Sequence, residues 1–75
     1  MQFQYPFRLD LKDGQWRDLT ADAIWVAPIM EVARACVVAV RELIRTGKAD
    51  FTESEIQRFQ FDYDGTRYQF DWQTK

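Results

Sequence analysis

Two Asp-Gly dipeptides, Asp13-Gly14 and Asp64-Gly65, constrain the fold of this chain more than any other feature of its sequence. Each lies between segments in which apolar and polar residues alternate. Asp-Gly tolerates the positive φ angles that a two-residue type I′ turn requires, and alternation with a period of two indicates a strand with one buried face. The sequence therefore predicts two β-hairpins, one in each half of the chain.

The first strand of the first hairpin is predicted over residues 2–12. Its buried face is predicted to carry Phe3, Tyr5, Phe7, Leu9 and Leu11. Pro6 interrupts this strand, and proline cannot donate a hydrogen bond to a neighbouring strand. The strand is therefore expected to lie at an edge of the sheet, at least near Pro6.

A two-residue turn at Asp13-Gly14 fixes the register of this hairpin. It sets Leu11 opposite Trp16 and Asp10 opposite Arg17, with a return strand over 15–19. The first pair is apolar and the second joins opposite charges, so the predicted register is self-consistent.

The second hairpin is predicted in the same way from the stretch FQFDYDGTRYQFDW, residues 59–72. The expected pairs are Phe61 with Tyr68, Phe59 with Phe70, Asp62 with Arg67 and Arg58 with Asp71. The aromatic rings leave by one face, which needs a cover. We expect most of them to be core residues rather than a surface that stacks bases.

An amphipathic helix is predicted over 28–46, ended by Gly47. A short, irregular helical piece is expected before it, over 21–26, because Thr20 or Asp22 could cap it. A further helical turn is expected over 53–57. There Thr52 and Glu55 match a capping box, and Phe51 and Ile56 match a hydrophobic staple.

The elements in order give a single small α+β domain over 1–75: an antiparallel sheet of about four strands packed on one main helix, ββ-α-ββ, with a helical turn before the last hairpin. The apolar arc of the helix covers roughly half its circumference, wider than one sheet needs. Val38 also lies among the charged residues. This surplus indicates a second packing surface, such as a twin subunit.

Composition argues against several functions. The 75 residues include ten basic and twelve acidic side chains, a net charge of −2, so strong attraction to nucleic acid or to an anionic membrane is not expected. The sequence has one cysteine and no histidine, and it lacks zinc-type spacing. No metal, cofactor or catalytic residue is therefore expected, and Cys36 is interpreted as a core residue. With no membrane-length apolar run and no signal peptide, a cytoplasmic location is expected.

Two groups of residues are candidates for binding. The candidate protein interface combines the apolar residues before and on the helix with the helix arginines: Trp25, Val26, Met30, Val38, Arg34, Arg41 and Arg45. The candidate polar sheet face carries Arg8, Arg17, Arg58 and Arg67. Either group could instead be structural, the arginines as charges paired on the surface and Trp25 as a plug for the core.

These features favour a small noncatalytic protein-binding or regulatory protein, of the adaptor or inhibitor type and homodimeric, whose partner is another protein or itself. The alternative is a nucleic-acid-binding regulator that uses the arginine-bearing sheet face or the helix edge. A very small enzyme is a third possibility, but no residue spacing indicates its site.

Overall fold

The structure, a computed structural model, describes residues 2–24 and 26–72. The elements in chain order are β1 (Gln2–Leu11), β2 (Trp16–Ile24), α1 (Ile29–Arg45), a 3-10 turn (Glu53–Glu55), β3 (Ile56–Tyr63) and β4 (Thr66–Asp71). All strand pairs are antiparallel and form one sheet in the order β2-β1-β3-β4. The predicted α+β class and the order ββ-α-ββ are confirmed.

The second hairpin has the predicted register. Phe61 lies opposite Tyr68, and Phe59 lies opposite Phe70. Asp64 and Gly65 have φ angles of 52° and 80°, as a type I′ turn requires. This aromatic ladder therefore follows directly from a two-residue turn between alternating segments.

The first hairpin has a different loop, so its predicted register is wrong by one residue. Asp10 lies opposite Trp16, and Leu9 lies opposite Arg17. The backbone N–H of Leu11 donates to the carbonyl of Gln15 at 2.8 Å, which closes a three-residue loop. One residue of slip exchanges the two faces of a strand, so Trp16 turns to the face without the helix.

β2 also continues to Ile24, where a helical piece over 21–26 was predicted. Residues 19–23 alternate, and Leu19, Ala21 and Ala23 face the core. The strand pairs with β1 along this whole length. That pairing outweighs the local capping preference of Thr20 and Asp22.

β1 lies in the interior of the sheet and not at its edge. It pairs with β2 along its length, but its pairing with β3 covers only Arg8 to Leu11. Pro6 lies beyond the end of the β3 pairing. The nitrogen of Pro6 is directed to the side of β3, because alternate residues of an antiparallel strand face alternate neighbours. The missing N–H therefore costs no hydrogen bond between strands.

Helix α1 packs across one face of the sheet, nearest to β2. Val32, Ala33, Cys36 and Val40 are its buried residues. Gly47 follows the helix with a φ of 75°, in agreement with the predicted stop. Within the described residues, no helix is long and apolar enough to cross a membrane.

The core lies between α1 and the sheet. Its buried side chains are Phe7, Leu9, Leu11, Ala21, Ala27, Val32, Ala33, Cys36, Val40, Phe51, Ile56, Phe59 and Phe61. The 3-10 turn brings Phe51 and Ile56 into this core, and the N–H of Thr52 donates to Glu55 Oε1 at 2.7 Å. No residue of β4 is fully buried, although Phe70 packs against the edge of the core.

Candidate functional site

The face of the sheet opposite the helix, called the open face here, is organised around one buried carboxylate. Asp10 is only 7% exposed. Its Oδ1 accepts a hydrogen bond from Arg8 Nε at 2.8 Å, and its Oδ2 accepts one from Gln60 Nε2 at 2.6 Å. Arg58 Nη1 lies 3.8 Å from the same Oδ2. Asp10 thus binds side chains from both β1 and β3.

The network continues across the sheet to β4. Gln60 Oε1 accepts a hydrogen bond from Arg67 Nη1 at 3.1 Å. Arg67 Nε donates to Asp62 Oδ1 at 2.7 Å, which confirms the predicted cross-strand pair. Three strands are therefore joined by a continuous set of hydrogen bonds in which every arginine has a carboxylate partner.

Trp16 lies beside this network, where the corrected register places it. The residue is 47% exposed, and the Arg8 guanidinium carbon lies 4.7 Å from the centre of its ring. Trp16, Arg8, Gln60 and Arg67 line a shallow depression of about 340 Å³. The sequence could have predicted this position of Trp16 only through a three-residue loop, which the Asp-Gly dipeptide also permits.

The ring and the polar side chains of the open face could stack on a ligand or form hydrogen bonds with it, but the face carries no excess positive charge. Asp10 binds both Arg8 and Arg58, Asp62 binds Arg67, and the same face also carries Asp18, Asp22 and Asp71. The fourth predicted member, Arg17, is on the other face and binds Asp50 with two hydrogen bonds of 3.1 and 2.8 Å. This contact holds the pKa of the Asp50 carboxyl below its usual value.

The helix arginines do not form a common cluster. Arg34 lies 3.8 Å from Glu31, and Arg45 binds Glu42, so each of these arginines is paired with the glutamate three residues before it on the helix surface. The hydrogen bond from Arg45 lowers the pKa of Glu42. Arg41 instead lies 3.6 Å from Glu53 and 5.7 Å from the centre of the Trp72 ring.

Val38, another predicted interface residue, is 59% exposed on the helix face that carries the charged residues. Trp25 lies outside the described residues. Val26 and Met30 are 77% and 62% exposed, and Ile24 is 55% exposed. These three lie close together in the chain around the junction of β2 and α1, which we call the apolar end.

A second depression, of about 610 Å³, opens at the apolar end. It lies where β1 and β3 are no longer paired. Its lining combines apolar and aromatic side chains with two carboxylates: Phe3, Tyr5, Pro6, Val26, Asp62, Tyr63 and Asp64. The arrangement suits an apolar side chain with a basic neighbour more than it suits a polar metabolite.

Two tyrosine hydroxyl groups hold the chain at the apolar end. Tyr63 Oη donates to the carbonyl of Ala27 at 2.6 Å, and Tyr5 Oη donates to the carbonyl of Ile24 at 3.1 Å. The N–H of Ala27 donates to Tyr5 Oη at 3.4 Å. Both tyrosines appeared in the sequence only as members of the aromatic face, so this role was not predicted.

Val26 is held there in an unfavourable backbone conformation. Its φ angle is 56°, in the left-handed region that β-branched residues rarely adopt. The conformation costs a non-glycine residue about 1–2 kcal/mol. The same conformation leaves the valine side chain mostly in water, so neither packing nor backbone preference explains its presence.

Reactive groups are scarce in the described part of the chain. Cys36 is fully buried, and burial raises the pKa of its thiol to about 12, so the reactive thiolate is not formed near neutral pH. Within residues 2–24 and 26–72, no group of three potential ligands could hold a metal ion.

Comparison of the chain with protein-family models, with curated proteins and with solved structures found no match.

Proposed function

We propose that this chain is a small noncatalytic protein-binding protein, of the adaptor or inhibitor type, which works as a homodimer in the cytoplasm. The observation that carries the binding role is Val26, an exposed valine held at positive φ beside an apolar depression. Unfavourable backbone conformations are common at binding sites, where the surrounding structure maintains them. Here two tyrosine hydroxyl groups bind the backbone of Ile24 and Ala27, on the two sides of Val26.

The lining of the depression indicates the chemistry of the partner. Asp64 supplies a carboxylate at the depression beside Val26 and Tyr63, whereas Asp62 also lines it but is bound to Arg67. The chain as a whole has a net charge of −2. An acidic rim around an apolar surface is complementary to a bulky apolar side chain flanked by lysine or arginine. The proposed partner is therefore a protein segment of that composition.

The test uses a library of random twelve-residue peptides displayed on phage, selected against the wild-type protein. We expect enrichment of peptides in which a large apolar residue neighbours a basic one. Val26→Lys should weaken binding of the selected peptides at least tenfold, because it places a charge in the apolar lining. Val38→Lys is the matched control, since Val38 is similarly exposed on the helix.

A second variant separates binding from folding. Val26→Gly should raise the free energy of unfolding by about 1 kcal/mol, because glycine adopts positive φ without strain. It should also weaken peptide binding, since the apolar side chain is gone. Selection that yields no common peptide pattern, or peptides that bind Val26→Lys as well as wild type, would overturn the proposed role of the apolar end.

A further inference from the structure

We propose that two copies of this chain pair through their β4 strands, antiparallel and centred on Gln69, so that the two sheets join into one. This inference rests on the proposed homodimer and names the surface and the register that form it. It involves a different surface from the apolar end, which stays open in each copy.

The backbone of β4 is available for this pairing. The type I′ turn makes Tyr63 and Thr66 a hydrogen-bonded pair, and every second residue after Thr66 is bonded to β3 in the same way. The N–H and C=O groups of Thr66, Tyr68 and Phe70 therefore face β3. The intervening residues Arg67, Gln69 and Asp71 direct theirs away from the sheet. β4 is the last strand in the sheet order, so these groups lie along an edge.

The side chains of the edge are self-complementary. The segment reads Arg67-Tyr68-Gln69-Phe70-Asp71, and a two-fold axis at Gln69 sets Arg67 opposite Asp71 of the second copy. The axis repeats that pair, so two opposite-charge pairs flank one pair of glutamines. All three pairs involve residues whose backbone groups face outward, so each pair exchanges two backbone hydrogen bonds.

The same register pairs aromatic rings on the helix side of the sheet. Tyr68 lies opposite Phe70 of the second copy in positions without backbone hydrogen bonds, where side chains approach most closely. Tyr68 is 36% exposed in the single chain, and Phe70 is partly buried. Pairing covers the parts of these rings that stay exposed in the single chain.

The helix does not obstruct this assembly. A two-fold axis perpendicular to the sheet places both helices on the same side, and each packs nearest to its own β2. The two β4 strands then separate the helices. Arg67 keeps its bond to Asp62 at 2.7 Å and lies between that carboxylate and the new one.

The experiment uses two charge variants, Arg67→Glu and Asp71→Lys, alone and mixed. Each variant alone sets like charges opposite each other twice in the dimer, so its self-association should weaken roughly tenfold or more. In a one-to-one mixture, both pairs join opposite charges again. The mixture should therefore form a heterodimer about as tightly as wild type associates, as measured by light scattering after size exclusion.

Recovery in the mixture cannot come from misfolded chains, so it would support the register directly. If wild type is dimeric but the variants dimerise equally well, or if the mixture shows no recovery, the copies pair elsewhere. The β4 inference then fails while the homodimer stands. If wild type is monomeric at every concentration, the homodimer fails too, and peptide binding at the apolar end is judged separately.

Discussion

The two edge strands of the sheet, β2 and β4, differ in the side chains that would lie opposite each other if the same strand of a second copy paired with them. On β2, the odd-numbered residues direct their backbone N–H and C=O groups to β1. The even-numbered residues from Trp16 to Ile24 therefore direct theirs outward, away from the sheet. A two-fold axis at Thr20, which would use the whole strand, sets Asp18 opposite Asp22 of the second copy. The same operation on β4 sets Arg67 opposite Asp71.

This difference shows how one small sheet can favour association at one edge and oppose it at the other. Carboxylates opposite one another disfavour pairing, and charged edges are a common protection against unwanted strand addition. The helix adds to the contrast, because its backbone lies nearest to β2 and no residue of β4 is fully buried. On this account, β4 is the edge that associates and β2 the edge that stays single.

The largest expected effect comes from a proline at the centre of each edge. Gln69→Pro removes an outward N–H from both copies and should weaken self-association at least about 100-fold, because the central pair loses its hydrogen bonds. Thr20→Pro removes the equivalent N–H from β2 and should leave the solution mass unchanged. Light scattering gives the mass, and circular dichroism checks that both variants fold. Equal loss of mass in the two variants would show that the edges do not differ.

A smaller effect is expected when the β2 edge is made complementary. Asp18→Lys sets a lysine opposite Asp22 of the second copy, which should permit pairing at both edges and produce assemblies larger than a dimer at high concentration. Asp18→Asn removes the repulsion without adding attraction and should form fewer of these assemblies. Sedimentation velocity distinguishes them. An Asp18→Lys protein with the wild-type mass distribution would show that something other than charge keeps β2 single.

The smallest effect concerns the ion pair beside β2, between Arg17 and Asp50. The pair lowers the pKa of Asp50 below its usual 3.8, so its contribution to stability is present above that pH and is lost as the pH falls through the folded-state pKa. Asp50→Asn should therefore lower the melting temperature by at most a few degrees at pH 7, since the pair is exposed.

The difference between Asp50→Asn and wild type should shrink as the pH falls below 3.8 and through the folded-state pKa of Asp50, because the wild-type carboxylate is then protonated as well. Melting curves followed by circular dichroism at pH 7 and at a series of lower pH values measure this. A difference that grows as the pH falls would contradict the stated sign. The oligomeric state should be the same in both proteins, because Arg17 faces the helix side and not the outer edge.

Most of the fold was predictable, because it depends on local patterns. Alternation around Asp64-Gly65 gave the whole register of β3 and β4, and the apolar stripe gave α1 to within one residue at each end. The same dipeptide at Asp13-Gly14 led to a predicted register that is wrong by one residue, because Asp-Gly also suits a three-residue loop. The three-residue loop is the one that places Leu19, Ala21 and Ala23 on the core face of β2.

The candidate sites were less predictable for the same reason. The one-residue difference in register moved Trp16 to the open face and Arg17 away from it. The strained φ of Val26 lies between Ile24 and Ala27, whose backbone groups bind two tyrosines that are distant in the chain, so no local pattern reveals it. Strand order, which makes β4 an edge, likewise became visible only in the folded chain.

The most direct test of the account is the solution mass of the wild-type protein across a dilution series, measured by light scattering after size exclusion. Pairing through one edge only predicts a mass of twice 9.0 kDa that falls toward 9.0 kDa on dilution, with no larger species. A mass of 9.0 kDa at the highest concentration would contradict association through β4. Masses that keep rising above the dimer would contradict the claim that the β2 edge stays single.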